Sequence, residues 1–300
     1  MAQPHVVTII LNNKRRDDTL ACLASLEQNT YENHSIIVLD NGSSDGTVQV
    51  IQSSFPMVQI LELTENRGYA GNNNIGLKMV LDQQVDWVFV LNDDTIVDSD
   101  CLSSLVEVGE SDGKIGIVGP MVYHYSEPEL IQSAGGYLSG YWEAGHFAQN
   151  EADQGQFVKP RFVDWISGCA ILVRREVIEQ VGLLDERFFC YWEEIDWCLR
   201  ASQSGWNIIH VPQAKLWHKG VRPDYHPNPW VTYYVTRNRF LMLAKHHAPL
   251  IAWIVAWGQT LRTLMSWTVK PKWRFMRQHR NAMLRGTIDF LYQRWGAIRP

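Results

Sequence analysis

Cysteine is scarce: the 300 residues include five, and no two of them form a C-x-x-C pair. An odd count without that spacing argues against a disulfide framework and a zinc ribbon, and it favours a reducing compartment. No run of about 18 apolar residues occurs, so we expect no membrane-spanning helix. The start of the chain lacks a basic segment, and the apolar run at residues 6–11 is too short for a signal peptide. Together these absences predict a cytoplasmic protein.

Glycine and proline are not in excess either, with 21 and 12 residues, which excludes a collagen-like repeat. Because 46% of the residues are hydrophobic and 20% are charged, the chain can form a large core and is not disordered. Its length fits two domains of about 150 residues, or one α/β domain with an appendage.

Negative charge dominates most of the chain, but residues 270–300 carry eight basic side chains and one acid, Asp289. This segment has a formal charge of +7, whereas the rest of the chain carries −12. A basic tail on an acidic body favours an anionic partner, most simply a membrane surface. We expect no nucleic-acid partner, because the acidic body would repel phosphates and no nucleic-acid-binding module is present.

Strands and helices are predicted to alternate along the first 95 residues. The predicted strands are short and apolar, at residues 6–11, 35–39, 58–63 and 87–91. Alternation with short connections predicts an α/β fold with a mostly parallel central sheet and helices on both faces. Ligands bind such sheets beyond the carboxyl ends of the strands. These ends carry Asn12, Asp40, Asn66 with Arg67, and Asp93 with Asp94.

The second half of the chain is predicted to be less regular. Glycines and aromatic residues between Pro120 and Pro160 indicate irregular strands and loops over the rim of the sheet. Further elements are predicted as strands at 171–173, 207–211 and 214–218, and as helices at 175–181, 193–204, 230–246, 249–269 and 273–295.

Two acidic clusters and one histidine are candidates for chemistry. Asp93 and Asp94 are adjacent carboxylates at a strand end, suited to Mg²⁺ or Mn²⁺, although a helix N-cap cluster is the simpler alternative. Glu193, Glu194 and Asp196 follow an aromatic run, and a carboxylate with a raised pKa there can act as a general base. Acids in a first helical turn also stabilise a helix, which is their structural alternative.

Seven motifs in one order resemble family 2 glycosyltransferases of the GT-A fold, and most resemble the bacterial rhamnosyltransferase-like branch. The resemblance covers about residues 5–245. The motifs are Asp40-Asn-Gly-Ser-Ser-Asp-Gly46, Asn66-Arg-Gly-Tyr-Ala-Gly-Asn72, Leu91-Asn-Asp-Asp-Thr95, Ser167–Arg175, Gly182–Phe189, Glu193–Arg200 and His218.

This resemblance implies a nucleoside-diphosphate-sugar donor, Mg²⁺ or Mn²⁺, and inverting transfer of a sugar by direct displacement. It implies that Asp94 and His218 hold the metal ion, that Glu194 is the catalytic base, and that Glu193 and Asp196 position the acceptor. The nucleotide-sugar residues implied by the resemblance are Asn12, Asp40, Arg67, Asn74 and Asp93.

Two departures from the family pattern affect these expectations. Many relatives have Leu-Asn-Pro-Asp-Thr where this chain has Leu91-Asn-Asp-Asp-Thr95, and the extra carboxylate favours a ribose, hence a UDP-sugar over a dTDP-sugar. The usual Glu-Asp pair is Glu193-Glu194 here, so Asp196 remains an alternative base. A sugar-phosphate nucleotidyltransferase and a non-catalytic glycan-binding protein on the same fold are the alternative functions.

We expect residues 1–245 to form the catalytic domain, with a nucleotide-sugar half at about 1–119 and an acceptor half at about 120–245. Residues 246–300 are expected to be a basic amphipathic helical tail that places the protein at the inner face of the plasma membrane. Such a tail would suit a glycan or lipid-linked glycan acceptor on a bacterial surface polysaccharide. The alternative is that the last helix mediates a homodimer.

Overall fold

The structure, a computed structural model, describes residues 3–220, 222–224 and 226–298. In those ranges the strands are β1 (Val6–Asn12), β2 (His34–Asp40), β3 (Gln59–Glu62), β4 (Trp87–Asn92), β5 (Thr95–Val97), β6 (Ile115–His124), β7 (Glu127–Ser133), β8 (Gly136–Leu138), β9 (Ala144–His146), β10 (Arg161–Phe162), β11 (Ala170–Arg174) and β12 (Asn207–His218). The helices are α1 (Arg16–Glu27), α2 (Thr47–Ser54), α3 (Gly68–Leu81), α4 (Cys101–Glu110), α5 (Arg175–Val181), α6 (Glu193–Gln203), α7 (Pro229–Lys245), α8 (Leu250–Val269) and α9 (Arg277–Leu291). A 3₁₀ helix, Pro271–Met276, joins α8 to α9.

The central sheet has the strand order β10-β12-β6-β11-β4-β1-β2-β3. Neighbours from β4 to β3 pair in parallel, and so do β6 and β12. Because β11 is antiparallel to both β4 and β6, these two strands also run in the same direction. Six of the strands along this order therefore point their carboxyl ends toward one edge of the sheet, which is where a site is expected.

Helices cover both faces of the sheet, as the sequence predicts. One apolar core lies between the sheet and α1, α2 and α4, and it includes Leu23, Ile51 and Leu105. The second core lies on the other face against α3, α5 and α6, and it includes Leu77 and Trp197. Central strands such as β1 are almost continuously apolar because both of their faces are buried.

The segment from Pro120 to Pro160 is more regular than the sequence indicates. It begins inside β6, a ten-residue strand whose side chains are all buried, and it continues into β7. Only the later glycine-rich part forms a small separate sheet of β8 and β9. The two strands predicted at 207–211 and 214–218 are one strand, β12, with a shift of register between Val211 and Lys215.

The last helices pack against one another with α7 in the middle. An Asn228 side chain accepts a hydrogen bond from the Trp230 N–H and caps α7, with Pro229 in its first turn. Gly286 of α9 lies so close to the Tyr233 carbonyl oxygen that a Cβ atom would come within 2.6 Å of it. By contrast, α8 buries only Ala252, Ala256 and Thr260. Over the described ranges, no helix combines the length and the apolar character needed to cross a bilayer.

Candidate active site

The carboxyl ends of β1, β2 and β4 bring the first group of predicted residues together. Asn12 and Asp40 face each other in register, and the Asn12 amide donates to an Asp40 carboxylate oxygen at 2.7 Å. Asp40 also accepts from the Ser43 N–H at 2.9 Å. Both side chains are buried, so they fix the ends of the strands just beneath the rim.

Asp94 and His218 lie 124 positions apart in the sequence but meet in the fold. The antiparallel pairing of β5 with β12 places His218 opposite Thr95, so its imidazole Nε2 is 3.1 Å from an Asp94 carboxylate oxygen. The other Asp94 oxygen is paired with the Arg15 guanidinium. Burial favours a higher pKa for Asp94, but the hydrogen bond and charge of His218 and the charge of Arg15 outweigh it and lower the pKa.

Asp93 is buried beside this pair and behaves differently. Burial raises its pKa to about 7, against a hydrogen bond from the Asn13 N–H at 2.9 Å, and the Asp94 charge adds to the rise. The two adjacent carboxyl groups therefore differ in their tendency to ionise, as expected where like charges share a site.

The donor set of Asp94 and His218 fits a divalent cation. A carboxylate suits Mg²⁺ or Mn²⁺, and an imidazole is a common ligand of divalent transition metals. Gly220 leaves space next to them, because a Cβ atom there would lie 2.3 Å from Asp94 and 3.2 Å from His218. Within the described residues no cluster of three His, Cys, Asp or Glu side chains is arranged to hold a metal ion. The remaining ligands at such a site would have to come from substrate and water, which is usual for Mg²⁺.

A cavity of about 420 Å³ opens at this rim between the strand ends and the helices that follow them. One wall is polar and includes Asn13, Arg15, Asn41 and Asp93. The opposite wall is largely apolar, and its residues are Phe189, Cys190, Trp230, Tyr234 and Ile298. A polar wall facing an aromatic wall suits a ligand with polar and ring-shaped parts.

Arg67 and Asn74 do not line this cavity, and neither do Asn12 and Asp40 beneath the rim, so Asp93 is the one predicted nucleotide-sugar residue among the described residues of its lining. Arg67 is nearly half exposed and forms an ion pair with Glu65. Asn74 is buried on α3, where its amide donates to the Leu184 carbonyl at 2.9 Å and accepts from the Leu184 N–H at 3.0 Å. Asn74 thus joins α3 to the segment before α6.

Glu193 and Glu194 begin α6, and each has a buried carboxylate oxygen without a hydrogen-bond partner among the described residues. Burial raises the pKa of Glu194 to about 7, and burial together with the Glu194 charge raises that of Glu193 well above its usual value. The titratable groups that interact with Glu194 are Glu193, Tyr69, Cys169, Cys190 and Cys198.

Asp196 points elsewhere. Its carboxylate binds Lys245 at 2.7 Å, His246 at 2.8 Å and Arg200 at 2.9 Å. Burial opposes ionisation, but these partners outweigh it and lower the pKa of Asp196. The structure therefore separates the two alternative bases by their surroundings: no basic side chain of the described ranges contributes to the pKa of Glu194, whereas Asp196 has three basic neighbours.

The turn at Gly168–Cys169 links the two acidic groups. Tyr69, which lines the cavity, donates a hydrogen bond to the Gly168 carbonyl. A Cβ atom on Gly168 would lie 3.5 Å from both the Tyr69 hydroxyl and the Glu194 Cβ. On the other side, the Asn92 N–H donates to the Cys169 carbonyl at 2.9 Å, next to Asp93. Glu194 and the Asp93-Asp94 pair thus flank one turn at the edge of the cavity.

Sequence reasoning missed Arg15 and Tyr69. Arg15 follows the end of β1 by three residues, and a basic side chain beside a strand end is the signal that could have indicated it. Tyr69 lay within a recognised motif, but its contact with Gly168 joins residues 99 positions apart.

Solved structures match this open α/β sheet with its polar cleft at the carboxyl ends of the strands. A mannosyltransferase from Pyrobaculum calidifontis, in complex with GDP-Man and Mn²⁺, superposes with a TM-score of 0.61 at 14% identity, over 98% of this chain and 89% of that one. GalNAc-T7 with UDP, GalNAc and Mn²⁺ gives a TM-score of 0.63 at 15% identity, over 78% of this chain. The match spans about half of the GalNAc-T7 chain, 47%. The expected GT-A fold is therefore confirmed.

The family follows from the sequence itself. Residues 6–182 match the model of glycosyl transferase family 2, and the chain belongs to that family. It is 30% identical over 214 residues to the N-acetylglucosaminyl-diphospho-decaprenol L-rhamnosyltransferase of Mycobacterium tuberculosis, over 65% of this chain and 70% of the relative. It is 27% identical over 271 residues to the dTDP-rhamnosyl transferase RfbF of Shigella flexneri, over 87% of each chain. The protein is thus a glycosyltransferase, as the resemblance predicted.

Proposed function

We propose that the protein transfers a sugar, with rhamnose favoured, from a nucleoside-diphosphate donor to a hydroxyl group of a glycan or lipid-linked glycan acceptor. The observation that carries this proposal is the cleft edge at Gly168–Cys169. The Asp94–His218 pair lies on one side of it, and on the other lies a Glu194 carboxylate oxygen without a hydrogen-bond partner among the described residues. The names of the two rhamnosyltransferase relatives support the choice of sugar.

In the proposed mechanism, the bond between the anomeric carbon and the diphosphate breaks while the acceptor oxygen bonds to that carbon from the opposite face. Glu194 accepts the proton of the acceptor hydroxyl, and the carbon inverts. Asp94 and His218 would hold the divalent cation, which when bound balances the charge that develops on the leaving diphosphate. Arg15 adds a second positive charge at the same rim.

We assign the base to Glu194 rather than Asp196. A general base works best when its pKa is near the operating pH, and the pKa of Glu194 is about 7. Asp196 is instead held by Lys245, His246 and Arg200, so a hydroxyl would have to displace them. Glu193, next to Glu194 in the first turn of α6, would position the acceptor.

For the nucleotide part of the donor, we propose that Asn13, Asn41 and Asp93 of the polar wall contact the base and ribose, with Asn12 and Asp40 fixing the strands beneath. Arg67 is nearly half exposed, and it would need to leave Glu65 to reach a donor. Asn74 would act indirectly, through its bonds to Leu184. A dTDP-sugar is favoured by the name of one relative, and a UDP-sugar by the carboxylate of Asp93.

A panel of sugar nucleotides, each with Mg²⁺ or Mn²⁺, tests the proposal by release of nucleoside diphosphate. We expect release from dTDP-rhamnose in the presence of an N-acetylglucosaminyl-diphospho-lipid acceptor. Release of pyrophosphate from a nucleoside triphosphate and a sugar phosphate would instead identify a nucleotidyltransferase. Binding of a glycan without any release would identify a non-catalytic glycan-binding protein.

We also propose that residues 246–300 hold the catalytic unit, residues 1–245, at the cytoplasmic face of a membrane. The outward side of α8 is apolar and exposed: Leu250, Ile254, Leu261, Met265 and Val269 are 54–75% accessible. Exposed basic residues follow it at Lys270, Lys272 and Arg274. An apolar stripe beside basic residues suits the interface of an anionic bilayer. A homodimer through this surface is the alternative outcome.

A further inference from the structure

The turn that leads into α6 has an unusual backbone. Phe189, Tyr191 and Trp192 adopt φ angles of +67°, +67° and +80°. Side chains other than glycine rarely occupy this left-handed region, and such residues persist only where surrounding structure holds them. The turn ends directly at Glu193 and Glu194, so its shape decides where both carboxylates lie.

Asn238 of α7 holds this turn from behind. Its side-chain amide nitrogen lies 2.9 Å from the Phe188 carbonyl oxygen and 2.8 Å from those of Cys190 and Tyr191. Asn238 is fully buried, so water does not replace these bonds. Because an amide nitrogen carries two hydrogens, these are shared among the three carbonyl groups of the irregular turn. The Phe188 carbonyl also accepts from the Cys190 N–H at 2.8 Å.

Arg237 completes the arrangement. Its guanidinium is fully buried and donates to the carbonyl oxygens of Arg187 at 3.0 Å and Phe188 at 2.8 Å. It also donates to the Gly296 carbonyl at 2.7 Å and to the Asn238 side-chain oxygen at 3.0 Å. The last bond fixes the orientation of the Asn238 amide, with its nitrogen toward the turn.

The same turn forms a wall of the cavity. Phe189 stacks on Tyr234 with ring centroids 5.3 Å apart, and the Phe189 carbonyl accepts a hydrogen bond from the Ala70 N–H of α3 at 3.2 Å. Any relaxation of the turn would therefore move the aromatic wall and the carboxylates together.

We propose that Arg237 and Asn238 are positioning residues, which impose the left-handed turn 188–192 and thereby aim Glu194 at the cleft. The inference rests on the base role proposed above for Glu194. Neither residue touches the cavity, so they act through the backbone they bind. Motif reasoning did not indicate them, because about 50 positions separate them from the turn.

The Asn238→Leu variant tests the inference, since leucine has the same branched shape but no amide donor. Phe240→Leu is the matched control: Phe240 lies on the same helix and packs on Trp257 and Phe290, away from the turn. Three properties are measured on both: amide hydrogen exchange of residues 188–193, the pKa of Glu194 from carbon-13 NMR of labelled glutamate, and release of dTDP from dTDP-rhamnose.

For Asn238→Leu we expect exchange of the turn at least about tenfold faster, a Glu194 pKa that falls from about 7 toward its ordinary value, and kcat lowered about 10- to 100-fold with an unchanged donor KM. The control should lower the melting temperature without these changes. Arg237→Lys keeps the positive charge but loses the branched guanidinium that donates to several carbonyl groups, so it should give a smaller effect in the same direction. It serves as the deciding variant if Asn238→Leu does not fold.

Exchange and Glu194 pKa equal to those of the wild type in both variants would overturn the positioning role. Those two measurements need no turnover, so they decide the question even if the chosen acceptor is wrong. Full turnover by Glu194→Gln would instead overturn the base assignment.

Discussion

At the scale of single residues, the contrast between Glu194 and Asp196 gives the first prediction. Glu194→Gln should lower kcat about 10²–10⁴-fold, because the acceptor hydroxyl loses its base. Asp196→Asn should instead destabilise the protein by about 3 kcal/mol, since it weakens a buried carboxylate's bonds to Arg200, Lys245 and His246. Turnover per folded molecule and urea unfolding separate the two effects. Loss of turnover in Asp196→Asn at full stability would contradict the assignment.

The raised pKa of Glu194 also predicts opposite trends in activity and stability with pH. Activity should rise with pH along a limb near pH 7, as the base ionises. Stability should change the other way: folding favours the neutral form, so this stabilisation is complete below the unfolded pKa of about 4.5 and is lost as pH rises to about 7. Glu194→Gln should therefore melt higher than the wild type at pH 8 and equally at pH 4. A lower melting temperature at pH 8 would count against a buried, uncompensated carboxylate.

The Asp94–His218 pair predicts that activity depends on a divalent cation and that Asp94 is one of its ligands. Chelation with EDTA should abolish nucleoside diphosphate release, and Mn²⁺ or Mg²⁺ should restore it. Asp94→Asn should weaken Mn²⁺ binding at least about 100-fold, because even outer contacts of metal ligands are worth 10- to 100-fold. Asp18→Asn is the control, since Asp18 lies near the same rim but pairs with Lys219 at 3.0 Å. Equal Mn²⁺ titrations of the two variants would remove Asp94 as a ligand.

Single residues were predictable where a motif carried them and not where the fold brings distant segments together. Asp94 and His218 were paired from the resemblance, and the pairing of β5 with β12 places them 3.1 Å apart. Arg15 and Asn238 belong to no recognised motif. The role of Asn238 depends on how closely α7 approaches a turn about 50 positions away, and periodicity does not encode this distance.

At the scale of elements, the junction before α3 gives a further prediction. Gly68 has a φ of +75°, and a Cβ atom there would come within 2.3 Å of the Phe189 carbonyl oxygen. Gly68→Ala should therefore introduce backbone strain and also push the turn 188–192 away. The free energy of unfolding should fall by about 2 kcal/mol or more. Gly42 has a φ of +71° with open space around it, so Gly42→Ala isolates the strain alone, about 1 kcal/mol. If urea unfolding shows the same loss of stability in both variants, the close approach of residue 68 to the Phe189 carbonyl carries no cost.

Elements were predictable where the apolar pattern is regular. The predicted strands of the first half agree with β1 to β4 within about two residues, because buried parallel strands are short apolar runs bounded by polar turns. Strand β6 was not predicted because Gly116, Gly119 and Pro120 interrupt its apolar pattern. Here Gly119 is required by packing, since a Cβ atom would come within 2.0 Å of Ile166.

At the scale of the whole molecule, the exposed side of α8 predicts membrane binding. The wild type should pellet with vesicles containing anionic lipid, and less with neutral ones. Leu261→Asp with Met265→Asp should abolish pelleting, because both side chains are more than half exposed and would meet the bilayer. Met57→Asp is the control, because Met57 is 92% exposed and lies outside the tail. Turnover of a soluble acceptor should be the same in all three proteins.

Substitution tests membrane binding more cleanly than removal of residues 270–300. Helix α9 packs on α7, and Asp289 accepts a hydrogen bond from the Tyr233 hydroxyl at 2.8 Å. Truncation would therefore expose the helix that carries Arg237 and Asn238. A loss of lipid binding could then not be separated from disruption of the turn 188–192. If the double variant pellets like the wild type but changes its mass in solution, the surface mediates self-association.

The position of Ile298 has a practical consequence for work on this enzyme. Its N–H donates to the Tyr234 hydroxyl at 2.8 Å, and its side chain lines the cavity at the rim. Bulk added at this position, as in Ile298→Trp, would reach into the cavity and compete with donor for space. The donor KM should therefore rise in that variant, and the rise would measure how closely the end of the tail borders the bound donor.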